Sequence, residues 1–181
     1  MNNFNKCLAD SHSAEDLPFW KEVYSKAFPN MVSMNNHRKD GEHQRLGIDR
    51  SIVLENGKIL WIDEKVRFKN NITGKIYTDI ALEYISDDRR QIPGWVCKSI
   101  MADYIAYAIA PLGKCYLLPV TQLQNAWQKN KELWLKNYKI IIAENGNGND
   151  VEWITLSCCI PVKVLFIAIG ACLRVDFTTF T

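Results

Sequence analysis

Asp49, Asp63 and Lys65 are the residues whose types and spacing best support chemistry in this chain. Asp63 and Lys65 lie two apart in the β-rich run Ile59–Phe68, so both side chains leave the same face of a strand. The run also carries Ile59, Leu60, Trp61, Ile62, Val66 and Phe68, which places it well inside a sheet. Charges there are costly unless they are paired or hold an ion. If Asp49 faces Asp63, the two carboxylates repel unless a cation sits between them. Carboxylates, water and a phosphate oxygen together suit Mg²⁺ or Mn²⁺. Such an ion polarises a phosphodiester and lowers the pKa of a bound water. The Lys65 ammonium could orient or help deprotonate that water and stabilise charge on the transition state. Glu83, on a third expected strand, offers a water-mediated ligand or a proton acceptor.

Whether Asp49 can take part depends on hairpin register. The runs Ile48–Leu54 and Ile59–Phe68 are joined by Glu55-Asn56-Gly57-Lys58, and Asn-Gly is a strong hairpin signal. A two-residue Asn56-Gly57 loop pairs Leu54 with Ile59 and sets Asp49 opposite Glu64, on the wrong face. A turn with Gly57 as a left-handed bulge residue pairs Leu54 with Lys58 and sets Asp49 opposite Asp63. Both faces carry apolar residues, so alternation does not choose between them. The chemistry requires the bulged register.

The elements that would position this hairpin read as follows. Ser13–Asp16 resembles a capping box, and Leu17, Trp20, Tyr24, Ala27 and Phe28 recur at helical spacing until Pro29 ends the helix. Asn35–Arg45 is polar and is expected as an exposed loop. Ile76–Ile85 is a third strand, Asp87–Pro93 a turn, and Ala102–Ala110 with Lys114–Val120 a further hairpin, the first run also fitting a helix. Thr121–Gln124 has capping-box spacing before a helix carrying Ala126, Trp127, Asn130 and Trp134. Strands at Tyr138–Glu144 and Glu152–Ile160 flank the turn Asn145–Asn149, and Pro161 opens a last helix. The fold class expected is α+β (mixed α/β): a restriction-endonuclease-like core with one mixed β-sheet flanked by helices. One domain is expected over 1–181, with the core at about 14–144 and a C-terminal strand and helix at 151–173.

The pattern Asp49 … Asp63-Glu64-Lys65, with thirteen residues between the aspartates, resembles the PD-(D/E)XK nuclease signature on a β-hairpin. The preceding helix and the later strand–helix–strand segment are similar to that superfamily's α-β-β-β-α-β core. The resemblance implies a metal-dependent phosphodiesterase using Mg²⁺ or Mn²⁺, with DNA ahead of RNA as substrate. By position Asp49 takes the first acid, Asp63 the second and Lys65 the lysine, the two aspartates holding the metal. Ile48 stands where the name-giving proline would be, and the second acid is the less common aspartate. A helical Gln-x-x-x-Tyr motif is absent, since Gln128 follows Gln124 at that spacing, which weighs against the exonuclease branch. A homodimer is an analogy with nucleases that cut both strands. The alternative from another class is a non-catalytic nucleic-acid-binding or assembly protein of a phage or mobile element, on a decayed nuclease fold.

Around this pattern, Gln44, Arg50, Arg67 and Lys69 are candidate nucleic-acid contacts, which would position a phosphate backbone without reading sequence. Each has a plainer alternative. Asp63 with Lys65 could be a same-face salt bridge, and Glu64 a solvated partner of Arg50 on the opposite face. Glu83 is divided between the site and a surface strand position. His43 and Gln44 suit a solvated loop, Gln124 suits a helix cap, and Trp95 suits the core better than a base-stacking platform.

Bulk composition excludes little. Among 181 residues, 48% are hydrophobic and 23% charged, with net charge +2, so the chain is ordinary and globular and does not announce a nucleic-acid binder. The charge is uneven: between His37 and Lys75 nine Lys/Arg meet six Asp/Glu, a local basic surface around an acidic centre. Six cysteines form no C-x-x-C pair and are expected to be reduced, which points to a cytoplasmic protein. The longest apolar stretch, Val164–Leu173, is shorter than the roughly 20 residues a membrane span takes, and no apolar signal segment follows the polar Met1–Lys6. No membrane partner is expected.

Overall fold

The computed structural model describes residues 2–3, 18–70, 73–146 and 150–179. The expected capping box at Ser13–Asp16 lies outside these residues, as do the last three residues, 147–149, of the Asn145–Asn149 turn. The elements, numbered along the chain, are β1 (Asn2–Asn3), α1 (Phe19–Ala27), β2 (Met31–Asn36), α2 (Gly41–Arg45), β3 (Arg50–Leu54), β4 (Ile59–Arg67), β5 (Asp79–Asp87) and β6 (Ile92–Pro93). They continue with β7 (Tyr104–Ile109), β8 (Lys114–Pro119), α3 (Val120–Asn137), β9 (Ile140–Gly146), β10 (Trp153–Pro161), α4 (Val162–Ile169) and β11 (Leu173–Asp176). The class is mixed α+β. The strands form two sheets, however, where a single one was expected. The chain divides into two compact units, each with one of the sheets.

One unit, formed by residues 15–78, 100–122 and 171–181, holds the six-stranded sheet in the order β11-β8-β7-β4-β3-β2. Its neighbours are antiparallel except β4 and β7, which run parallel. Helix α1 covers one face. Phe19, Trp20, Val23 and Tyr24 share a buried cluster with Ile52 and Leu54 of β3, Leu60 and Ile62 of β4, Ala106 and Ala108 of β7, and Leu117 of β8. The even residues of β4 therefore face α1 and the odd ones, Trp61, Asp63 and Lys65, face away. Pro18 precedes the helix with helical backbone angles and no side-chain cap, and the Phe28 N–H closes its last turn on the Tyr24 carbonyl.

The other unit, residues 1–14, 79–99 and 123–170, holds the sheet β1-β9-β10-β5-β6. The third strand expected beside the hairpin, realised as β5, belongs here: it pairs with β10, Cys158 opposite Leu82 and Ser157 opposite Glu83. Ile80, Leu82, Cys158, Ile160, Leu165 and Ile169 are buried, and Trp127 packs between Tyr84 and Trp134. Trp95 is buried too, which removes it as a stacking platform. Gln124 does not cap α3; its Nε2 donates to the Lys98 carbonyl, because the helix already starts at Val120. The five described cysteines are free, and no described helix is long and apolar enough to cross a membrane.

Candidate active site

The turn between β3 and β4 decides the site. Arg50 pairs with Ile62 and Val53 with Ile59, and Leu54 donates to the Lys58 carbonyl at 2.9 Å. Gly57 takes φ +80°, its N–H donates to Leu54, and Asn56 accepts from the Lys58 N–H. Only the left-handed glycine lets a three-residue connection close in this way. This is the bulged register. The ladder ends at Arg50, where the Asp49 N–H also turns to the Ile62 carbonyl, and the Asp49 and Asp63 carboxyls come within hydrogen-bonding reach of each other.

Asp49 itself is pinned by its backbone. Its N–H donates to the Ile62 carbonyl at 2.9 Å and its carbonyl accepts from the His37 N–H at 2.8 Å, so it is stitched between β2 and β4. Gly47 leads into it with φ +71°, and a Cβ there would stand 2.8 Å from Ile100 Cγ2, so glycine is needed for both reasons. The side chain of Asp49 is held as firmly. Oδ1 accepts from Gln44 Nε2 at 3.0 Å, Oδ2 accepts from the Glu64 backbone N–H at 2.7 Å, and Arg38 Nη2 lies 3.4 Å from Oδ2.

Asp63 is buried on β4, its carboxyl within hydrogen-bonding reach of Asp49 and bonded to the Lys65 ammonium. Burial and then the neighbouring Asp49 push the Asp63 pKa up to about 6, against the pull of Lys65. Burial also works against ionisation of Asp49, but Lys65, Arg38 and its hydrogen bonds outweigh it and the net shift is downward. The Lys65 side chain keeps about 32% exposure, so the group beside the aspartates reaches solvent. Two hard oxygen donors in contact, one of them strained towards protonation, are the donor chemistry that a divalent cation relieves. Asp49 and Asp63 are the residues that would hold it.

The other expected site residues are distributed differently. Gln44 sits on Asp49 and so orients the acid. Arg50 is buried and is corrected as a phosphate contact: its Nε and Nη2 grip Glu64 at 2.6 and 3.2 Å. Glu64 has Arg50 as its partner on the opposite face, as expected, yet is buried and not solvated. Tyr24 Oη donates to it at 2.6 Å and Arg38 Nη2 at 3.2 Å. Arg67 stacks its guanidinium 4.0 Å above the Tyr77 ring, and Lys69 is exposed just beyond the strand. Glu83 stands on β5, in the other unit.

Asn35–Arg45 is not a plain loop. Its first residues end β2, and Asp40 caps α2, Oδ1 accepting from Glu42 N at 2.9 Å. Arg38, which sequence reasoning passed over in this stretch, bridges Asp49 and Glu64. A lone arginine in a polar run carries no mark of that role; the pairing exists because β2 lies beside β3.

Compared with family models, curated proteins and solved structures, the chain has no match. What the site can do follows from its own residues.

Proposed function

We propose that this chain is a metal-dependent nuclease that hydrolyses DNA phosphodiester bonds at Asp49, Asp63 and Lys65. The observation that carries the reading is the bulged hairpin register, which makes two buried carboxylates neighbours and sets an ammonium beside them. Mg²⁺ or Mn²⁺ bound there would supply Lewis acidity towards the phosphate and a more acidic bound water. Asp49, fixed by Gln44, Arg38 and the Glu64 N–H, supplies a ligand that does not have to be ordered on binding. Asp63 supplies the second oxygen donor. Lys65, partly solvent-exposed, can orient an attacking water or meet charge developing on the phosphate. Arg67 ends the same strand and Lys69 lies just beyond it, and both suit backbone contacts with the substrate.

A second reading has its own support. Both oxygens of Asp49 already accept hydrogen bonds, and Asp63 already holds Lys65. A non-catalytic nucleic-acid-binding or assembly protein on an inherited scaffold would look like this too. Cleavage of supercoiled, linear and branched DNA with Mg²⁺ or Mn²⁺ separates the two. The nuclease reading expects metal-dependent cutting, reduced at least about 100-fold in Asp63→Ala. DNA binding without cutting by the wild type would favour the scaffold.

A further inference from the structure

A second cluster of ligating side chains lies next to the aspartates and plays no part in the proposed cleavage. His37, just past the end of β2, Asp40, at the cap of α2, and His43, inside it, bring one donor atom each to within 4.8 Å of one another. The two imidazoles stack with ring centres 4.2 Å apart and planes 15° from parallel. His43 Nδ1 lies 2.7 Å from Asp40 Oδ2, while the cap to the helix uses Oδ1 at its shorter contact, so the carboxylate serves both. His37 Nε2 is 2.8 Å from the Ser51 hydroxyl, and Trp61 walls the pair at 5.8 and 5.7 Å.

We propose that His37, Asp40 and His43 form a binding site for a zinc-class divalent ion. Two imidazole nitrogens and one carboxylate oxygen suit Zn²⁺, Co²⁺ or Ni²⁺ and disfavour Mg²⁺, which wants oxygen throughout. Ligands about 2.0–2.1 Å from one tetrahedral ion stand roughly 3.4 Å apart, a spacing these partly exposed side chains reach by small rotations. Three protein ligands leave the fourth position to water or to a substrate oxygen. The Ser51 hydroxyl is the kind of outer partner that fixes the orientation of a metal-bound imidazole.

The ion would also act on the neighbouring aspartate. The residue after His37 is Arg38 and the residue after His43 is Gln44, and these two side chains both hold Asp49. An ion joining His37 to His43 braces Asp49 from both sides. The site does not depend on the nuclease reading, since its ligands include neither aspartate of the proposed cleavage centre.

The test is a Co²⁺ titration of reduced protein in an Asp63→Ala background, which keeps the other carboxylate pair out of the count. One equivalent is expected to bind with the visible absorption of four-coordinate cobalt, without the charge-transfer band of a thiolate ligand, and to be displaced by Zn²⁺. Adding His43→Ala or Asp40→Asn should weaken binding at least about tenfold. Asparagine caps a helix as well as aspartate does, so Asp40→Asn separates loss of a ligand from loss of the fold, with circular dichroism as the check. Absence of cobalt binding, binding undiminished by both added substitutions, or a thiolate band would overturn the site.

Discussion

Asp63 and Glu64 are adjacent on β4, both buried, and they face opposite sides of the sheet into different electrostatic surroundings. Glu64 looks towards α1 and meets Arg50, Arg38 and the Tyr24 hydroxyl, so its charge is fully matched by donors. Asp63 looks the other way and meets one ammonium and a second carboxylate, and its proton is held up to about 6. A matched buried carboxylate is a structural joint. An under-matched one is available to a cation, and strongly perturbed carboxylates of this kind gather at functional sites. In the proposed reading, one face of the strand is scaffold and the other carries the chemistry.

Removing each acid should break that contrast most visibly. Glu64→Ala removes the carboxylate that buried Arg50 grips and one of the two that Arg38 bridges, and should destabilise the protein by about 3–5 kcal/mol in urea unfolding. Asp63→Asn removes repulsion, so at pH 7.5 without metal it should be neutral or stabilising. Equal losses in both would erase the distinction between the faces.

The pH dependence sharpens it. Folded Asp63 binds its proton with a pKa of about 6, above the ordinary value near 3.8 that it has when unfolded. Its protonation therefore favours the folded state: the contribution is complete below about pH 4 and is lost as pH rises through 6. The difference in metal-free stability between wild type and Asp63→Asn should change over that window by on the order of 2–3 kcal/mol, and added Mg²⁺ should flatten it. Unfolding free energies at half-unit pH steps measure this directly.

Two smaller effects probe the supports. Tyr24→Phe removes one of the donors to Glu64 and should cost about 1–2 kcal/mol while leaving metal-dependent cleavage within about twofold of wild type. Gly57→Ala, at φ +80° with nothing within 4 Å of the new Cβ, should cost about 1 kcal/mol from backbone conformation alone. A cleavage defect out of proportion to that loss would mean that the register had slipped.

Much of this was legible in the residues. The hairpin and its two strands came from Asn56-Gly57 and from two-residue periodicity, which act locally. The bulged turn did not, since apolar residues on both faces fit either register, and the aspartate pair was legible only on condition of that turn. The two-sheet arrangement was not legible, because Ile76–Ile85 has the apolar pattern of a strand and nothing in it names a partner strand. Arg50 read as a phosphate contact or a solvated partner of Glu64 for the same reason: an arginine on a strand edge and one buried against a glutamate look alike until the packing is known. Tyr24 read as one more apolar position on a helix face, and its hydroxyl bond to Glu64 depends on a residue forty positions away. Arg38 and the His37–Asp40–His43 group were hidden in a polar stretch whose composition suits a loop, since β2 and the short α2 have little apolar pattern to announce them.

In the proposed reading, Asp49 and Asp63 together hold a divalent metal. Crystals grown with Mn²⁺ and measured for its anomalous scattering would locate it. A peak is expected between the two carboxyl groups that disappears in Asp63→Asn. Full manganese occupancy elsewhere in the same crystals, with nothing between Asp49 and Asp63 and the Lys65–Asp63 pair intact, would contradict it.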